Sequence, residues 1–205
     1  MCNLYRMSRS VDEVAHIFDA IVGQVGNAGG EVYPGYPAMV VAESEVRSMT
    51  WGFPLATRGK SGQMLKPRPI NNARTDKLSG RFWKPSFEAR RCLIPVDAFA
   101  EAEGAKGAKT RTWFNLPDGE PMAIAGIWRW SDEWGEVFSM VMTDANETVA
   151  PVHDRMPVIL PQDVRARWVD GDPDEAFALC RPFPDALCRD ATADPWVARK
   201  AAGGA

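Results

Sequence analysis

The sequence contains few residues of the kinds that build metal sites and disulfide-linked domains. Its 205 residues include four cysteines and two histidines, and no two cysteines form a Cys-x-x-Cys pair. Closely spaced cysteines mark structural zinc sites and small disulfide-bonded domains. Their absence argues against both classes, and we expect neither a metal nor another cofactor. Cys92, which lies inside an apolar run, is predicted to be a small buried hydrophobic residue.

Long apolar runs are missing as well. No stretch of about 18 consecutive apolar residues is present, which argues against a helix that spans a membrane. The N-terminal segment also lacks the basic start, apolar stretch and small-residue cleavage site of a secretory signal. We therefore expect a cytoplasmic protein that makes no contact with membranes.

Internal repeats and low-complexity linkers are absent too, so nothing divides the chain into several units. Hydrophobic residues make up 45% and charged residues 25% of the chain, a balance that can bury one sizeable core. We predict a single domain over residues 1–200, followed by a disordered tail at residues 201–205.

Basic and acidic residues are concentrated in different segments of the chain, although the net charge is only −3. The segment from Arg58 to Arg91 holds ten basic and two acidic residues, whereas the part from Asp170 onward holds seven acidic and four basic residues. A basic run is often no more than a solvated surface. It is also the electrostatic footprint of a nucleic-acid groove, so both interpretations stay open on charge alone.

One helix is predicted near the start of the chain. Apolar residues recur at spacings of three and four over residues 10–25, and Ser10 with Glu13 forms a capping box at the beginning of this pattern. Two shorter helices are predicted in the acidic C-terminal part, at residues 162–169 and 174–179.

The rest of the chain is predicted to form short strands. Residues 112–116 and 122–128, on either side of the turn sequence Pro117-Asp118-Gly119, are predicted to form a hairpin. Residues 52–69 show neither helical nor strand periodicity and are predicted to be a loop. Further strands are predicted at residues 39–41, 46–51, 137–143 and 156–160. The sum indicates an α+β fold.

Four polar residues are candidates for chemistry. Cys2 becomes the first residue of the chain when Met1 is removed. His153 lies in a polar insert between two apolar strands, Asn72 follows a Pro-rich loop, and Glu101 follows the apolar run at Cys92. Loops held by rigid strands often carry catalytic groups. A carboxylate in such a place is a general acid or base when its pKa is raised, and otherwise an ordinary exposed residue.

Six sequence blocks occur in a set order along the chain. They are Met1-Cys2, Trp51-Gly52-Phe53-Pro54, Asn72-Ala73-Arg74, Arg91-Cys92-Leu93-Ile94-Pro95-Val96-Asp97-Ala98-Phe99-Ala100-Glu101, Ala125-Gly126-Ile127-Trp128 and His153-Asp154-Arg155-Met156-Pro157-Val158-Ile159-Leu160. With these blocks the chain resembles the SOS response-associated peptidase (SRAP) family of abasic-site DNA-protein crosslinking proteins. The resemblance implies an α+β single domain of mostly antiparallel short strands, which form a curved or barrel-like sheet with peripheral helices.

The resemblance also implies an activity. A protein of this kind binds single-stranded DNA and captures an abasic site through Cys2, after removal of Met1, as a thiazolidine crosslink that protects the lesion in the DNA damage response. AP-lyase and autopeptidase activities are further expectations, as are a monomeric state and an association with the nucleoid. The catalytic residues that carry over are Cys2, Asn72, Glu101 and His153.

The residue types suit these roles. The α-amine of an N-terminal cysteine attacks an aldehyde to form a Schiff base, and the thiol of Cys2 then closes a thiazolidine ring. His153 can protonate the sugar ring oxygen, Glu101 can shuttle protons at the amine, and Asn72 can orient the N-terminal residue without adding charge. The residues expected to contact DNA are Trp51, by stacking on or wedging against a base, and Arg74, Thr143 and Arg155.

The chain departs from the family pattern at several positions. Asn3 and Leu4 follow Cys2 where the family usually has Gly and Arg, Glu31 stands where an Asn is usual, and Ala102 replaces a familiar Trp after Glu101. These departures concern the DNA-contact surface and leave the four chemical residues intact.

Two other functions fit the same residues. One is a cysteine peptidase in which Cys2 is the thiolate nucleophile, His153 the base and Asn72 the orienting residue. The other is a non-covalent nucleic-acid-binding module in which the polar residues only line a groove.

Overall fold

Short strands make up most of the chain in the computed structural model, which describes residues 2–26 and 29–196. The predicted tail at residues 201–205 lies outside the described residues. The strands are β1 (Tyr5–Met7), β2 (Ile21–Val22), β3 (Gly30–Val32), β4 (Pro37–Ala42), β5 (Glu45–Trp51), β6 (Phe53–Leu55), β7 (Arg68–Ile70), β8 (Asn72–Arg74), β9 (Arg91–Val96), β10 (Ala98–Glu103), β11 (Thr110–Asn115), β12 (Met122–Ser131), β13 (Gly135–Asp144), β14 (Arg155–Pro157) and β15 (Cys188–Pro195). The α-helices are α1 (Val11–Ile17), α2 (Lys84–Ala89), α3 (Arg165–Asp170) and α4 (Pro173–Ala178), with 3-10 turns at Thr75–Lys77 and Gln162–Val164.

The larger sheet closes on itself. Its strands follow the order β14-β13-β12-β9-β4-β5-β2, and β13 also pairs with β5, so that β13, β12, β9, β4 and β5 form a ring. Most of the pairs are antiparallel, and the β13–β5 pair is parallel. From Met122 to Trp128, strand β12 is buried on both faces, as the unbroken apolar run there requires. The expected barrel-like α+β fold is confirmed.

A second sheet packs against this barrel. It has the order β15-β11-β10-β1-β3. Side chains alternate across it: Phe99 faces the main core and stacks on Phe114 at a centroid distance of 5.2 Å. Ala98, Ala100 and Trp113 face a smaller cluster on the other side. The main core is shared by both sheets and all four helices of the described residues, so the chain forms one domain.

The first helix is shorter than predicted. It begins after the Ser10–Glu13 capping box and ends at Ile17, whereas the apolar pattern continued to Val25. The chain reverses at Asp19, whose φ is +50°. Ile21 and Val22 then join β5 as a parallel strand, because β-branched residues suit a strand better than the last turn of a helix.

The predicted hairpin on either side of Pro117 is wrong. Strand β11 pairs with β10 and β15, whereas β12 pairs with β9 and β13 in the other sheet. The turn exists, and Gly119 donates its backbone N–H to the carbonyl of Leu116 at 3.2 Å. The chain leaves this turn toward a different sheet, so the two flanking strands never meet. Strand β15 was not predicted from the sequence at all.

Residues 52–69 are not wholly a loop, because β6 and β7 pair within this segment. Gly52 makes that pairing possible. Its φ is +120°, and a Cβ atom there would lie 2.4 Å from the Cβ of Pro69. Only glycine tolerates both conditions. The Gly52 N–H also donates to the carbonyl of Phe138 at 2.7 Å, which ties this segment to β13.

The remaining predicted elements are found where they were expected. Strands β4, β5, β13 and β14 cover the predicted strands, with β14 shorter than the prediction, and α3 and α4 correspond to the two C-terminal helices. Cys92 is fully buried, as predicted, and all four cysteines are free. Among the described residues, no helix has the length and apolar character needed to cross a bilayer.

Candidate active site

The backbone of Cys2 is held by two adjacent asparagines. The Nδ2 of Asn72 donates to the Cys2 carbonyl oxygen at 2.7 Å, and the Nδ2 of Asn71 donates to the same oxygen at 2.9 Å. A carbonyl oxygen has two lone pairs, so it can accept both bonds. Asn71 also donates to Oδ1 of Asn3 at 3.1 Å. The first residues of the chain are therefore fixed beside strand β8.

Strand β8 is itself fixed by the barrel. Asn72 lies opposite Met140 of β13 in a parallel register. The Met140 N–H donates to the carbonyl of Asn71 at 3.0 Å, and the indole N–H of Trp51 donates to that same carbonyl at 3.0 Å. The side chain of Asn72 is 7% exposed. The clamp on Cys2 is thus preorganised by β-sheet bonds, with little freedom left in either asparagine.

The thiol of Cys2 is enclosed. Cys2 is fully buried, and its S–H donates to the carbonyl of Leu4 at an Sγ–O distance of 3.5 Å. Burial raises the pKa of this thiol well above its ordinary value, and the nearby charge of Glu101 raises the pKa further. The sulfur is therefore a neutral thiol at physiological pH.

Glu101 lies in the middle of β10, opposite Thr112 of β11. Its side chain is 2% exposed. Burial raises the pKa of this carboxyl to about 7, with a further upward contribution from Asp154, because a low-dielectric environment disfavours the charged form. Near neutral pH the group is present in both protonation states, which suits a residue that accepts a proton and returns it.

His153 lies in the turn before β14. The Arg155 N–H donates to its Nδ1 at 3.0 Å, and Oδ1 of Asp154 lies 3.0 Å from the same nitrogen. One nitrogen cannot both accept from an amide and donate to a carboxylate. The amide is fixed in the backbone, whereas the Asp154 side chain is 84% exposed. Burial lowers the pKa of His153, so the neutral ring that accepts at Nδ1 and carries its proton on Nε2 is the favoured form.

Glu101 and His153 belong to one electrostatic neighbourhood. The charges of Asp154 and of Lys109 act on both groups: Asp154 raises each pKa, and Lys109 lowers each. The charge of Glu101 in turn raises the pKa of the Cys2 thiol. The backbone carbonyl of Cys2 accepts a hydrogen bond from Asn72. The structure therefore brings the four predicted catalytic residues together at the seam between the barrel and the second sheet.

Sequence reasoning missed two members of this neighbourhood. The sequence could have indicated Asn71, because it stands next to Asn72 and two adjacent side-chain amides can donate to the same backbone carbonyl. Lys109 stands in the turn between β10 and β11 and is exposed. No local pattern marks it, because its place depends on the pairing of those two strands.

Two arginines flank the end of β13. Arg74 follows Asn72 on β8, and Arg155 follows His153 at the start of β14, opposite Asp144. Arg74 forms a bidentate pair with Asp76, with both N–O distances at 2.9 Å. Arg155 pairs with Asp144 at 2.9 Å. These pairs are partly exposed, so the predicted phosphate contacts remain open to both arginines.

Two of the residues predicted to contact DNA are buried. Trp51 is fully buried, edge-on to Tyr5 at 4.9 Å and stacked on Phe138 at 6.4 Å between ring centroids. Trp51 belongs to the main core, and its contact with a base stays a prediction. Thr143 is 4% exposed, and its hydroxyl donates to the carbonyl of Cys180 at 3.4 Å. This bond joins Thr143 to the C-terminal part of the chain, and its contact with DNA stays a prediction.

Metal ligation is not supported by the described part of the chain, which places no group of three or more His, Cys, Asp or Glu side chains around a common point. The site that can be described consists of a clamped N-terminal segment, a neutral thiol, a carboxyl with a pKa of about 7 and a neutral imidazole. Each can take part in nucleophilic addition or proton transfer to an electrophilic carbon.

The sequence also matches a known protein family. The profile of the SOS response associated peptidase (SRAP) family matches residues 1–196. The chain belongs to the SRAP family. All four predicted catalytic residues and both asparagines of the clamp lie within the matched range.

Several proteins with a related sequence have functional names. The abasic site processing protein YoqW of Bacillus subtilis (strain 168) is 27% identical to this SRAP chain over 209 residues, which cover 89% of this chain and 88% of that protein. The abasic site processing protein YoaM of the same organism is 27% identical over 207 residues, covering 89% and 86%. The abasic site processing protein YedK of Escherichia coli (strain K12) is 25% identical over 146 residues, covering 67% and 63%.

Solved structures share the fold of this SRAP chain. A protein from Bordetella bronchiseptica superimposes with a TM-score of 0.79 at 23% identity, covering 93% of this chain and 99% of that one. A protein from Bacteroides thetaiotaomicron superimposes with a TM-score of 0.78 at 21% identity, covering 93% and 91%.

Glu31, one of the departures from the family pattern, takes part in a hydrogen-bonded ion pair. Glu31 accepts from Arg111 at 2.8 Å and from the hydroxyl of Tyr33 at 2.8 Å. Arg111 lies opposite Ala102 in the β10–β11 register, where the familiar Trp is absent. The small side chain of Ala102 is thus adjacent to an ion pair that joins β3 to β11 across the outer face of the second sheet.

Proposed function

We propose that this SRAP chain processes abasic sites in single-stranded DNA, and that the processed N-terminus of Cys2 captures the lesion as a thiazolidine crosslink. The observation that carries the proposal is the double amide clamp on the Cys2 carbonyl. It holds the first residues of the chain beside Glu101 and His153. A clamp on residue 2 has an evident use when that residue supplies the nucleophile.

The proposed reaction begins with the sugar. The ring-closed abasic deoxyribose opens to an aldehyde when its anomeric hydroxyl gives a proton to water and its ring oxygen takes a proton from His153. The imidazole of His153 is protonated for this step and returns to its neutral form. Once Met1 is removed, the α-amine of Cys2 attacks the aldehyde carbon and forms a carbinolamine. Glu101 takes the proton released by the attacking amine and returns it to the carbinolamine hydroxyl, which leaves as water. The product is a Schiff base between Cys2 and the sugar carbon.

The thiol completes the crosslink. The Cys2 sulfur adds to the same carbon, and its proton moves to the nitrogen as the five-membered ring closes. The overall reaction releases one water and needs no oxidant or reductant. Because the pKa of the thiol is raised, the sulfur stays protonated until the electrophilic Schiff base is next to it, so the amine reacts first.

Asn72 has a second role in this proposal. Its Nδ2 is bonded to Cys2, but its Oδ1 is buried and has no hydrogen-bond partner among the described residues. A buried acceptor without a donor costs about 1–3 kcal/mol. The α-amine set free by removal of Met1 is a donor on the residue that Asn72 already holds, and we assign it to this oxygen.

The peptidase alternative gains no support from these groups. A cysteine peptidase needs a thiolate, which a neighbouring imidazolium normally stabilises. Here burial raises the pKa of the Cys2 thiol and lowers the pKa of His153. Both shifts favour the neutral pair, which is the opposite of a thiolate–imidazolium pair.

The test is the intact mass of the protein with and without single-stranded DNA that contains an abasic site. The wild-type chain should lack Met1 and should gain the mass of the DNA less one water. Cys2→Ala should lose the heat-stable adduct, yet borohydride should still trap its Schiff base because the amine remains. Cys188→Ala, which removes an exposed cysteine on β15, should behave as wild type. A stable adduct from Cys2→Ala without reductant, or from a chain that keeps Met1, would contradict the proposal.

A further inference from the structure

One basic pocket is lined by none of the four predicted catalytic residues. It is an open cavity of about 450 Å³ lined by Arg81, Phe82, Pro85, Ser86, Arg90 and Arg129. Three of its six lining residues are arginines. Arg81 and Arg90 are exposed at its rim, and Ser86 is buried. The cavity combines positive charge with an aromatic wall.

Arg129 is fixed in this pocket by two aromatic rings. Its guanidinium carbon lies 4.3 Å from the centroid of Phe53 and 4.9 Å from that of Phe82. Such cation–π contacts hold the guanidinium plane in place and leave its edge to bind other groups. The Nε of Arg129 is buried and has no hydrogen-bond partner within the described ranges. The group is therefore a held, desolvated donor whose hydrogen-bonding capacity is not used.

The acidic residues near the pocket are engaged elsewhere. Glu133 acts on Arg129 only through its charge, and its carboxylate accepts from the hydroxyl of Ser131 at 2.7 Å. Glu88 pairs with Lys84 at 2.5 Å. In residues 2–26 and 29–196, none of the three pocket arginines forms an ion pair.

Three positive charges are thus gathered around the cavity, and none of them is in an ion pair with an acid among the described residues. Burial lowers the pKa of Arg129, and the charge of Arg90 lowers it further while Glu133 acts in the opposite sense. Gathering three guanidinium groups around a cavity costs free energy in the empty protein. An anion in the cavity would remove that cost, and planar guanidinium donors fit the oxygens of a phosphate especially well.

We propose that the pocket formed by Arg81, Arg90 and Arg129 binds a phosphate group. The phosphodiester of the bound DNA strand, beyond the lesion, is one source, and free inorganic phosphate is the other. The first source rests on the proposed function. Strand β13 relates the pocket to the predicted site. Its Val137 pairs with Arg129 of β12. Further along β13, Met140 pairs with Asn72 and Asp144 pairs with Arg155. At about 3.3 Å per residue, the pocket lies about 10–23 Å from the proposed lesion site along this strand, a distance that a strand of a few nucleotides can cover.

The test uses Arg81→Gln/Arg90→Gln, which removes two exposed charges and leaves the stacked Arg129 intact. The matched control is Arg167→Gln, because Arg167 is equally exposed and lies on α3. Fluorescence anisotropy measures binding of an undamaged single-stranded oligonucleotide across a salt series. We expect about tenfold weaker binding by the double variant. Its plot of log affinity against log salt should flatten by about 0.7 for each lost phosphate contact. Arg167→Gln should match wild type.

Calorimetry with inorganic phosphate separates the two sources. Saturable phosphate binding that the double variant loses, with unchanged DNA binding, would support the pocket with a free anion as its ligand. Weakened DNA binding with a flatter salt slope would support the DNA source. Unchanged binding of both DNA and phosphate, or an equal loss in Arg167→Gln, would overturn the proposal. Undamaged DNA cannot crosslink, so a failure of Cys2 chemistry would appear only in the intact-mass experiment.

Discussion

Replacing Glu101 with Gln should stabilise the protein at alkaline pH while slowing its chemistry. The Glu101 side chain is 2% exposed, and burial raises its pKa from an ordinary 4.5 to about 7. Each pKa unit corresponds to about 1.4 kcal/mol. Ionised Glu101 therefore costs the folded state about 3 kcal/mol relative to a carboxyl that is free in the unfolded chain. A glutamine side chain has nearly the same shape and never ionises, so the Glu101→Gln variant avoids this cost.

The pH window follows from the direction of the shift. Below about pH 4.5 the carboxyl is protonated in both states, and Glu101 imposes no ionisation cost. As the pH rises toward about 7, the unfolded chain ionises first, so the folded state binds more protons and loses stability. Above about pH 7 the full cost is present. The advantage of Glu101→Gln should hence be near zero at acidic pH and largest at about pH 8.5.

Urea unfolding of wild type and Glu101→Gln at about pH 4.5 and about pH 8.5 measures this difference. Glu103→Gln is a matched control two residues along β10. Bonds from Thr112 and Arg189 lower the pKa of Glu103, so its ionised form stabilises the fold, and its removal should weaken the protein more at alkaline than at acidic pH. A stability difference for Glu101→Gln that does not change with pH would refute a raised pKa. A wild-type crosslinking rate for Glu101→Gln would remove the proton shuttle from the mechanism.

Two further predictions test the site and the core. His153→Ala should slow crosslinking by about 10²–10⁴-fold on ring-closed abasic DNA, and an analogue locked as the open aldehyde should recover much of that rate; an equal loss on both substrates would contradict the ring-opening role. Gly126→Ala should destabilise the fold by about 1–3 kcal/mol in urea unfolding, because its Cβ would lie 2.7 Å from Sγ of Cys92. Adding Cys92→Ala should restore part of that loss, and a double variant no better than Gly126→Ala would refute this account of the contact.

The sequence identifies four candidate catalytic residues but not the residues that surround them. Cys2, Asn72, Glu101 and His153 stand in recognisable blocks, and the structure collects them. The clamp by Asn71 and the charge of Lys109 depend on how β8 approaches β13 and how β10 pairs with β11. Those pairings join residues far apart in the chain, so no local pattern contains them.

The burial of Trp51 likewise depends on residues that are far from it in the sequence. A tryptophan beside Gly52 and Phe53 suits a base-stacking platform or a core position equally well by composition. Its burial depends on Tyr5 and Phe138, which lie on two distant strands and contact its ring edge-on and by stacking. The hairpin at Pro117 failed for a related reason, because turn residues specify a reversal of the chain but not the sheet that the next strand joins.

The charge count of the basic segment from Arg58 to Arg91 does not show which of its bases are free to bind an anion. Arg91 is buried and donates to the backbone carbonyls of Trp168 and Phe87, so it supports α3 and cannot reach a ligand.

Arg74 and Lys84 are paired with Asp76 and Glu88 within the same segment. The two acids that reduce the segment to a net +8 are thus paired with bases close to them in the sequence, Asp76 with Arg74 and Lys77, and Glu88 with Lys84. Arg74 would have to exchange Asp76 for a DNA phosphate, whereas Arg81 and Arg90 have no ion-pair partner to give up in the part of the chain that the structure describes. Arg58, Lys60, Lys66 and Arg68 also form no ion pair among the described residues, whereas Arg81 and Arg90 line one cavity together with Arg129. Because three guanidinium groups meet there, that cavity is the place to look for DNA contacts beyond the lesion.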